Sequence, residues 1–456
     1  YFNLNSTAIS PSKLQISVYT NLKNIYIFGD TSNITQMSGM YAFIPTLENI
    51  YIKSGTTYAM DSCTDTSGMF YGDEKLTVNT SSYQGINLDS IINNFGDTSS
   101  NTDTRYMFFS CKSISHPSIG NLNMSSVTDA SYMCAGANSM QLTLSGSNDP
   151  WDISAWDMSH VASTTAMFSG STIDMSAADP LANLWGDTTS QVIVGNLNMD
   201  AWDLSSLKIS VFMFAQNPGI TGVTWTTQAP QLCDASAMYA FDSGLDSIIF
   251  DGLNTPMLLY TDVMFFKAAA AGAEMSASSW NISQLTEARL MYYGTGFTKI
   301  ILNDTNPASL KIAVGMFANN PSLVSFGEDC LSIWRLSNLE DAAFMFFKNP
   351  MLQIISSGEW GMESVKKIDY MFAEDPSLTT LNLNWKIGNA LTSMDCFLYG
   401  NDKLTTLDFS SWDTTSLESA YAAFAKMSVL SSVDLTGIKL TNIKVINGLF
   451  ADDCSI

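Results

Sequence analysis

The feature that most constrains this chain is a cassette of about 26 residues that recurs along most of its length. It is clearest over residues 360–383, WGMESVKKIDYMFAEDPSLTTLNL. After Trp360, apolar residues follow at Val365, Ile368, Met371 and Phe372, spaced as a helical stripe, and Pro376 punctuates the turn behind them. Leu378, Leu381 and Leu383 then read L-x-x-L-x-L, the inward face of a strand and its entry turn. One cassette cannot bury both faces alone, so its neighbours must supply the other wall of the core.

An aromatic anchor, usually Met-Phe or Met-Tyr, marks each unit. Its first residue is Met40, Met69, Met107, Met133, Met167, Met213, Met238, Met264, Met291, Met316, Met345, Met371, Cys396, Ala423 and Leu449. From Met213 onward these lie 25 to 29 residues apart. The strand signature keeps step with them, as at Leu245/Ile248/Phe250 and Leu404/Leu407/Phe409. Stacked in register, such strands form a parallel sheet, and the crossover rule makes the coils right-handed. The expected fold is an α/β, leucine-rich-repeat-like solenoid of about 15 coils, with the sheet on one face and short helical or 3-10 segments on the other. Its core should include Met213, Phe214, Met345, Phe346, Met371, Phe372, Leu378, Leu381, Leu383, Trp360 and Trp412.

A tryptophan precedes the stripe in seven units, at Trp156, Trp202, Trp280, Trp334, Trp360, Trp385 and Trp412, often followed by Asp or Asn and then Ser. Such a row could offer aromatic platforms to sugars. Because it keeps the core period, we expect each Trp to close one edge of the core while the next polar residue caps the short helix. The methionines, in step with the same stripe, are expected in the core as well.

Residues 1–20 lack a stripe and are expected to cap the array, with residues 21–456 forming a single solenoid. Anchor spacings of 38, 34 and 46 residues mark insertions near 77–100, 143–155 and 171–200. They are polar and turn-rich, and loops on a repeat scaffold are where a ligand site would be sought first. The chain starts at Tyr1 without an initiator Met or signal region and stops at Ile456 within a repeat. We read Tyr1 as a processed terminus or the edge of a portion, and expect the natural polypeptide to run past Ile456.

Composition narrows the function classes. The chain is 46% hydrophobic and only 14% charged, which excludes disorder. Its 43 acidic residues against 20 basic give a net charge of −23, which repels nucleic acid and anionic bilayers. No uninterrupted apolar stretch reaches the ~18 residues of a membrane span. Seven cysteines lack C-x-x-C spacing, so zinc and redox motifs have little support. Buried thiols are the default, with Cys111 and Cys134 as the pair to consider for a bridge between adjacent coils. Sequons at Asn5, Asn33, Asn79, Asn123, Asn281 and Asn303 are compatible with a glycosylated, secreted protein.

Catalytic signals are sparse. His116 and His160 are the only histidines, and both read as surface residues of turns or short helices. No G-x-S-x-G, H-E-x-x-H or P-loop pattern occurs. Glu374/Asp375 and Asp452/Asp453 follow their anchors, where solvated turn carboxylates belong. No cofactor is expected. Calcium is the one metal that such carboxylates would suit, and no spaced D-x-D-x-D loop supports it.

The pattern W-D-x-S-x-V-x-x-M-x-x-M-F-x-x-x-x-x-L-x-x-L-x-L, fullest at 360–383 and 407–435, resembles the BspA-like leucine-rich-repeat surface proteins over nearly the whole chain. The resemblance implies an extracellular adhesin that binds matrix proteins or neighbouring cells without catalysis. The expected function is thus a cell-surface scaffold for adhesion or for protein or glycan recognition. The alternative is a structural subunit of an extracellular filament, sheath, surface layer or virion surface, assembling end to end through its terminal coils.

Overall fold

Among the described residues, the cassettes fold as coils of a right-handed parallel β-solenoid with almost no helix. The computed structural model describes residues 21–171, 191–302, 305–326, 331–355, 358 and 360–452. The expected cap at 1–20 and most of the third insertion lie outside them. Two compact units, Tyr1–Thr224 and Trp225–Ile456, make up the chain.

In the first unit, β1 (Asn24–Ile27) pairs in parallel with β2 (Asn49–Lys53), setting Ile25 opposite Ile50 and Ile27 opposite Ile52. The insertion near 77–100 is more ordered than a polar loop. It forms an antiparallel hairpin of β3 (Ser81–Tyr83) and β4 (Ile86–Ser90), whose second strand adds to β2, and then a 3-10 turn that buries Ile91 and Ile92. Further on, β5 (Gly195–Asn198) runs parallel to β6 (Ile220–Thr224).

The second unit stacks β7 (Ser247–Ile249), β8 (Glu274–Ser276), β9 (Lys299–Ile301) and β10 (Ser325–Phe326) in parallel, with Ile248, Met275, Ile300 and Phe326 in one column. Three parallel pairs follow. They join β11 (Ile354–Ile355) to β13 (Thr380–Leu381), β12 (Gly361–Met362) to β14 (Lys386–Ile387), and β15 (Thr406–Asp408) to β16 (Ser432–Asp434).

The anchor face differs from the helical stripe read in the sequence. Among the described residues, helical structure is limited to 3-10 turns at Ile91–Asn93 and Met199–Ala201. Each anchor instead sits in a run of turns in which alternate N–H groups have different destinations. Ala237, Tyr239 and Phe241 donate to Asp262 O, Met264 O and Phe266 O of the next coil, whereas Met238 and Ala240 donate three residues back to Ala235 O and Ala237 O. Residues just before and three after the anchor take left-handed φ, as at Ala237 (55°) and Phe241 (64°). A helix would spend every N–H within its own coil. The turns accept the cost of left-handed non-glycine residues and gain main-chain bonds between coils.

That register moves one anchor. Tyr370, Cys396 and Ala422 occupy equivalent left-handed positions, at φ 55°, 52° and 49°. Phe372 N–H donates to Phe397 O, and Leu398 N–H to Ala423 O. Phe397 and Leu398, rather than Cys396 and Phe397, therefore take the places of Met371 and Phe372. A cysteine beside a phenylalanine imitated the anchor in sequence; the hydrogen-bond register separates them.

The core is built of one-per-coil columns. Tyr239, Phe265, Tyr292, Phe317, Phe346 and Phe372 stack face to face with centroids 5.1–5.5 Å apart. In the first unit Tyr41, Phe70 and Phe108 stack likewise, as do Phe168 and Phe214. Spacing set by strand pairing thus brings identical rings to an attractive separation. Met213, Phe214, Met345, Phe346, Met371, Phe372, Leu378, Leu383, Trp360 and Trp412 are all buried. Leu381 is only half-buried, although Ile355 opposite it on β11 is fully buried.

The seven periodic tryptophans are core residues. Trp360, Trp385 and Trp412 stack at 5.1 and 5.8 Å. Their indoles also tie coils together: Trp156, Trp202, Trp360 and Trp412 donate Nε1–H to Ile119 O, Ile153 O, Leu331 O and Leu383 O. The Asp after Trp156, Trp202 and Trp412 closes a turn rather than a helix. Asp157, Asp203 and Asp413 Oδ1 accept the N–H two residues on, from Ser159, Ser205 and Thr415. Cys111 and Cys134 are buried free thiols, and Cys111 Sγ donates to Phe70 O. They occupy different columns of their coils, and no disulfide joins them.

Candidate functional site

Two features carry chemistry beyond apolar packing, and neither was singled out residue by residue in the sequence. The first is internal. Immediately after the second left-handed residue comes an inward position, apolar or Cys in coils such as those of Cys111, Ala137, Ala268 and Met427, and polar where it is Asp73, Asn217, Asp242, Thr295, Asn320, Asn349, Asp375 or Asn401, these eight at 0–1% exposure. Thr295 N–H donates to Asn320 Oδ1 (2.7 Å), Asn320 N–H to Asn349 Oδ1 (3.0 Å) and Asn349 N–H to Asp375 Oδ1 (2.6 Å). The amide nitrogens turn to carbonyls: Asn320 Nδ2 to Phe317 O, Asn349 Nδ2 to Phe346 O, and Asn401 Nδ2 to both Leu398 O and Phe372 O. A polar ladder thereby satisfies buried main-chain groups where the coil leaves its anchor turns. Of the two carboxylate pairs read as solvated, Glu374 faces solvent in part, but Asp375 is fully buried. The reason is the left-handed φ of Glu374 (57°), which turns the next side chain inward. Asp452 is exposed, and Asp453 lies outside the described residues.

The second feature is the insertion near 143–155. Asp152 is 4% exposed and organises the loop. Its Oδ2 accepts Ser145 Oγ–H (2.9 Å) and Ser147 N–H (2.7 Å), and its Oδ1 accepts Ser154 N–H (2.8 Å). Burial pushes this carboxyl up, but the bonds from Ser154, Ser145 and Ser147 outweigh it and hold the group well below the usual carboxylate range. Gly120 N–H donates to Pro150 O at 2.8 Å, fixing the loop against the preceding coil. A Cβ at Gly120 would meet Asp152 O at 2.3 Å, so only glycine permits that approach.

The loop presents Trp151, the one half-exposed tryptophan among the described residues. His116 packs against it with ring centroids 4.8 Å apart at 75°, and Ser115 Oγ lies 2.9 Å from His116 Nδ1. His116 has a left-handed φ of 47° and is anchored by its N–H to Met140 O. His160 sits elsewhere, beside Ser159 Oγ, so the two histidines form no joint site. Ser147, Asn148 and Asp149 surround the exposed edge of the loop. The arrangement offers a fixed aromatic surface beside polar groups, a geometry suited to binding. The sequence carried one signal for it: Trp151 lies five residues before Trp156, out of step with the tryptophan period.

The sequons separate by environment. Asn33, Asn79 and Asn123 are exposed, whereas Asn281 is half-buried and spends its amide on Asn254 Oδ1 and Ser283. Asn5 and Asn303 lie outside the described residues. Among the described residues no three His, Cys, Asp or Glu side chains are grouped to hold a metal ion, and no helix is long and apolar enough to cross a membrane.

The profile of a repeat family described as "Mycoplasma protein of unknown function, DUF285" matches residues 16–147, 87–190, 212–324, 261–378 and 345–455. The chain belongs to the DUF285 family. Its matches overlap one another within 16–190 and again within 212–455, as expected when one profile spans several coils and the coils are interchangeable. No curated protein and no solved structure matches the chain. For this DUF285 protein, function must therefore be argued from its own surface.

Proposed function

We propose that this DUF285 chain is a non-catalytic recognition scaffold of the cell exterior, with a protein or glycan as its partner. The carrying observation is the 143–155 loop, in which Asp152 and Gly120 fix Trp151 and His116 on a rigid coil edge. Binding to a surface ordered beforehand avoids much of the entropy cost of fixing a loop. Three exposed sequons and the resemblance to BspA-like leucine-rich-repeat surface proteins support an extracellular setting.

The test is saturable binding of the folded protein to arrayed glycans and extracellular matrix proteins, compared with Trp151→Ala. Loss of an aromatic anchor should weaken binding about tenfold or more, with an unchanged unfolding midpoint. Binding unaffected by Trp151→Ala would overturn the assignment to this loop.

A further inference from the structure

We propose that Asp73 and Asp375 each hold a proton in the folded protein at neutral pH and stand in for ladder asparagines, so that acid tightens the coils around them and alkali loosens them. Both are 0% exposed and occupy the position that is Asn217, Asn320, Asn349 or Asn401 in other coils. One oxygen of Asp73 and of Asp375 does what the asparagine Oδ1 does: it accepts Ile44 N–H at 2.8 Å and Asn349 N–H at 2.6 Å. The second oxygen stands where an asparagine carries its amide NH₂, and in Asp73 and Asp375 this buried Oδ2 has no donor.

The asparagines of this column donate to the carbonyl three residues back, which by register is Phe70 O for Asp73 and Phe372 O for Asp375. An ionised Oδ2 would set two acceptors against each other in a dry interior. A protonated Oδ2–H donates as the amide does. Among the described residues no cation pairs with the Asp73 or Asp375 carboxyl. Against Asp73 stand the Cys111 thiol of the next coil and the Ile44 main chain; against Asp375 stand the neutral Asn349 and Asn401, with the Glu374 carboxylate beside it. Glu74 and Glu374 are occupied at the surface by Lys112 and Lys348.

Burial raises the Asp73 carboxyl to about 9 and that of Asp375 well above its ordinary value. A carboxyl raised on folding gives its full stabilisation below the unfolded pKa of ~3.9 and loses it as pH climbs towards the folded value. Between those limits folding takes up a proton at each site, and unfolding releases it to solvent.

The experiment follows thermal unfolding of the full chain and of Asp375→Asn and Asp73→Asn at pH 4 and pH 8. Asparagine restores the donor without needing a proton, so each variant should melt roughly 5 °C higher than the parent at pH 8 and within about a degree of it at pH 4. Lower melting at pH 8, or an equal change at both pH values, would overturn the proposal. Infrared spectroscopy of the unaltered protein gives a readout independent of variant folding. A protonated-carboxyl carbonyl stretch should persist at pH 7 and vanish on unfolding, and its absence would also overturn the proposal.

Discussion

Replacing Phe372 by alanine should cost about 4 kcal/mol, and the damage should stay local. The ring is 0% exposed and ends the six-ring stack, 5.1 Å from Phe346 at an interplanar angle of 5°. It also meets Phe397 edge-on at 5.6 Å and Trp385 at 5.9 Å. Core Phe-to-Ala changes cost about 3–5 kcal/mol, and each lost aromatic pair adds roughly 0.5–1.5 kcal/mol to burial alone. Those terms overlap, which places the variant within the range rather than above it. Coils on both sides hold the vacated space open through main-chain bonds, Phe346 N–H to Met371 O and Phe372 N–H to Phe397 O, so collapse into the cavity is restricted. The assay is urea unfolding read by circular dichroism and tryptophan fluorescence, combined with native-state hydrogen exchange. The midpoint should fall, and amides of residues 345–398 should lose protection while those of 238–292 keep theirs. An unchanged midpoint would refute the burial argument. Uniform loss of protection across the second unit would refute the nearest-neighbour account of stability.

Two further predictions concern the 143–155 loop. Gly120→Ala should displace it, because the new Cβ meets the main-chain oxygens of Asp152 and Pro150 at 2.3 and 2.9 Å; the measurable result is increased proteolytic cleavage within 143–151 with little change in far-ultraviolet dichroism. Asp152→Asn should cost about 2 kcal/mol at pH 7, since hydrogen bonds to a charged acceptor are the stronger kind. Its carboxyl is lowered on folding, so the contribution is present above the unfolded pKa of ~3.9 and disappears as pH falls through the folded value. Parent and variant should therefore converge in strong acid, and a constant difference at every pH would contradict that linkage.

The sequence by itself determined that this chain is a stack of coils. The anchor period, the L-x-x-L-x-L strands and the tryptophans in step with them leave a parallel solenoid as the arrangement that buries every cassette. It also determined the core at Met371, Phe372, Leu378 and Trp360, because apolar side chains that recur once per coil must stack on their own copies. Tertiary structure alone decided the main-chain path at the anchors. Met and Phe at helical spacing fit a helix equally well, and what selects turns is pairing of N–H groups with the next coil, a term absent from any single cassette. The same non-local register moved the anchor from Cys396 to Phe397 and carried Asp375 from an apparent surface turn into a ladder shared with Asn349 and Asn401. In the insertion near 143–155, residue types announced a polar loop. Only folding showed that one carboxylate, Asp152, holds it rigid and leaves Trp151 at the surface, because the bonds that do so join groups whose proximity is set by the coils on either side.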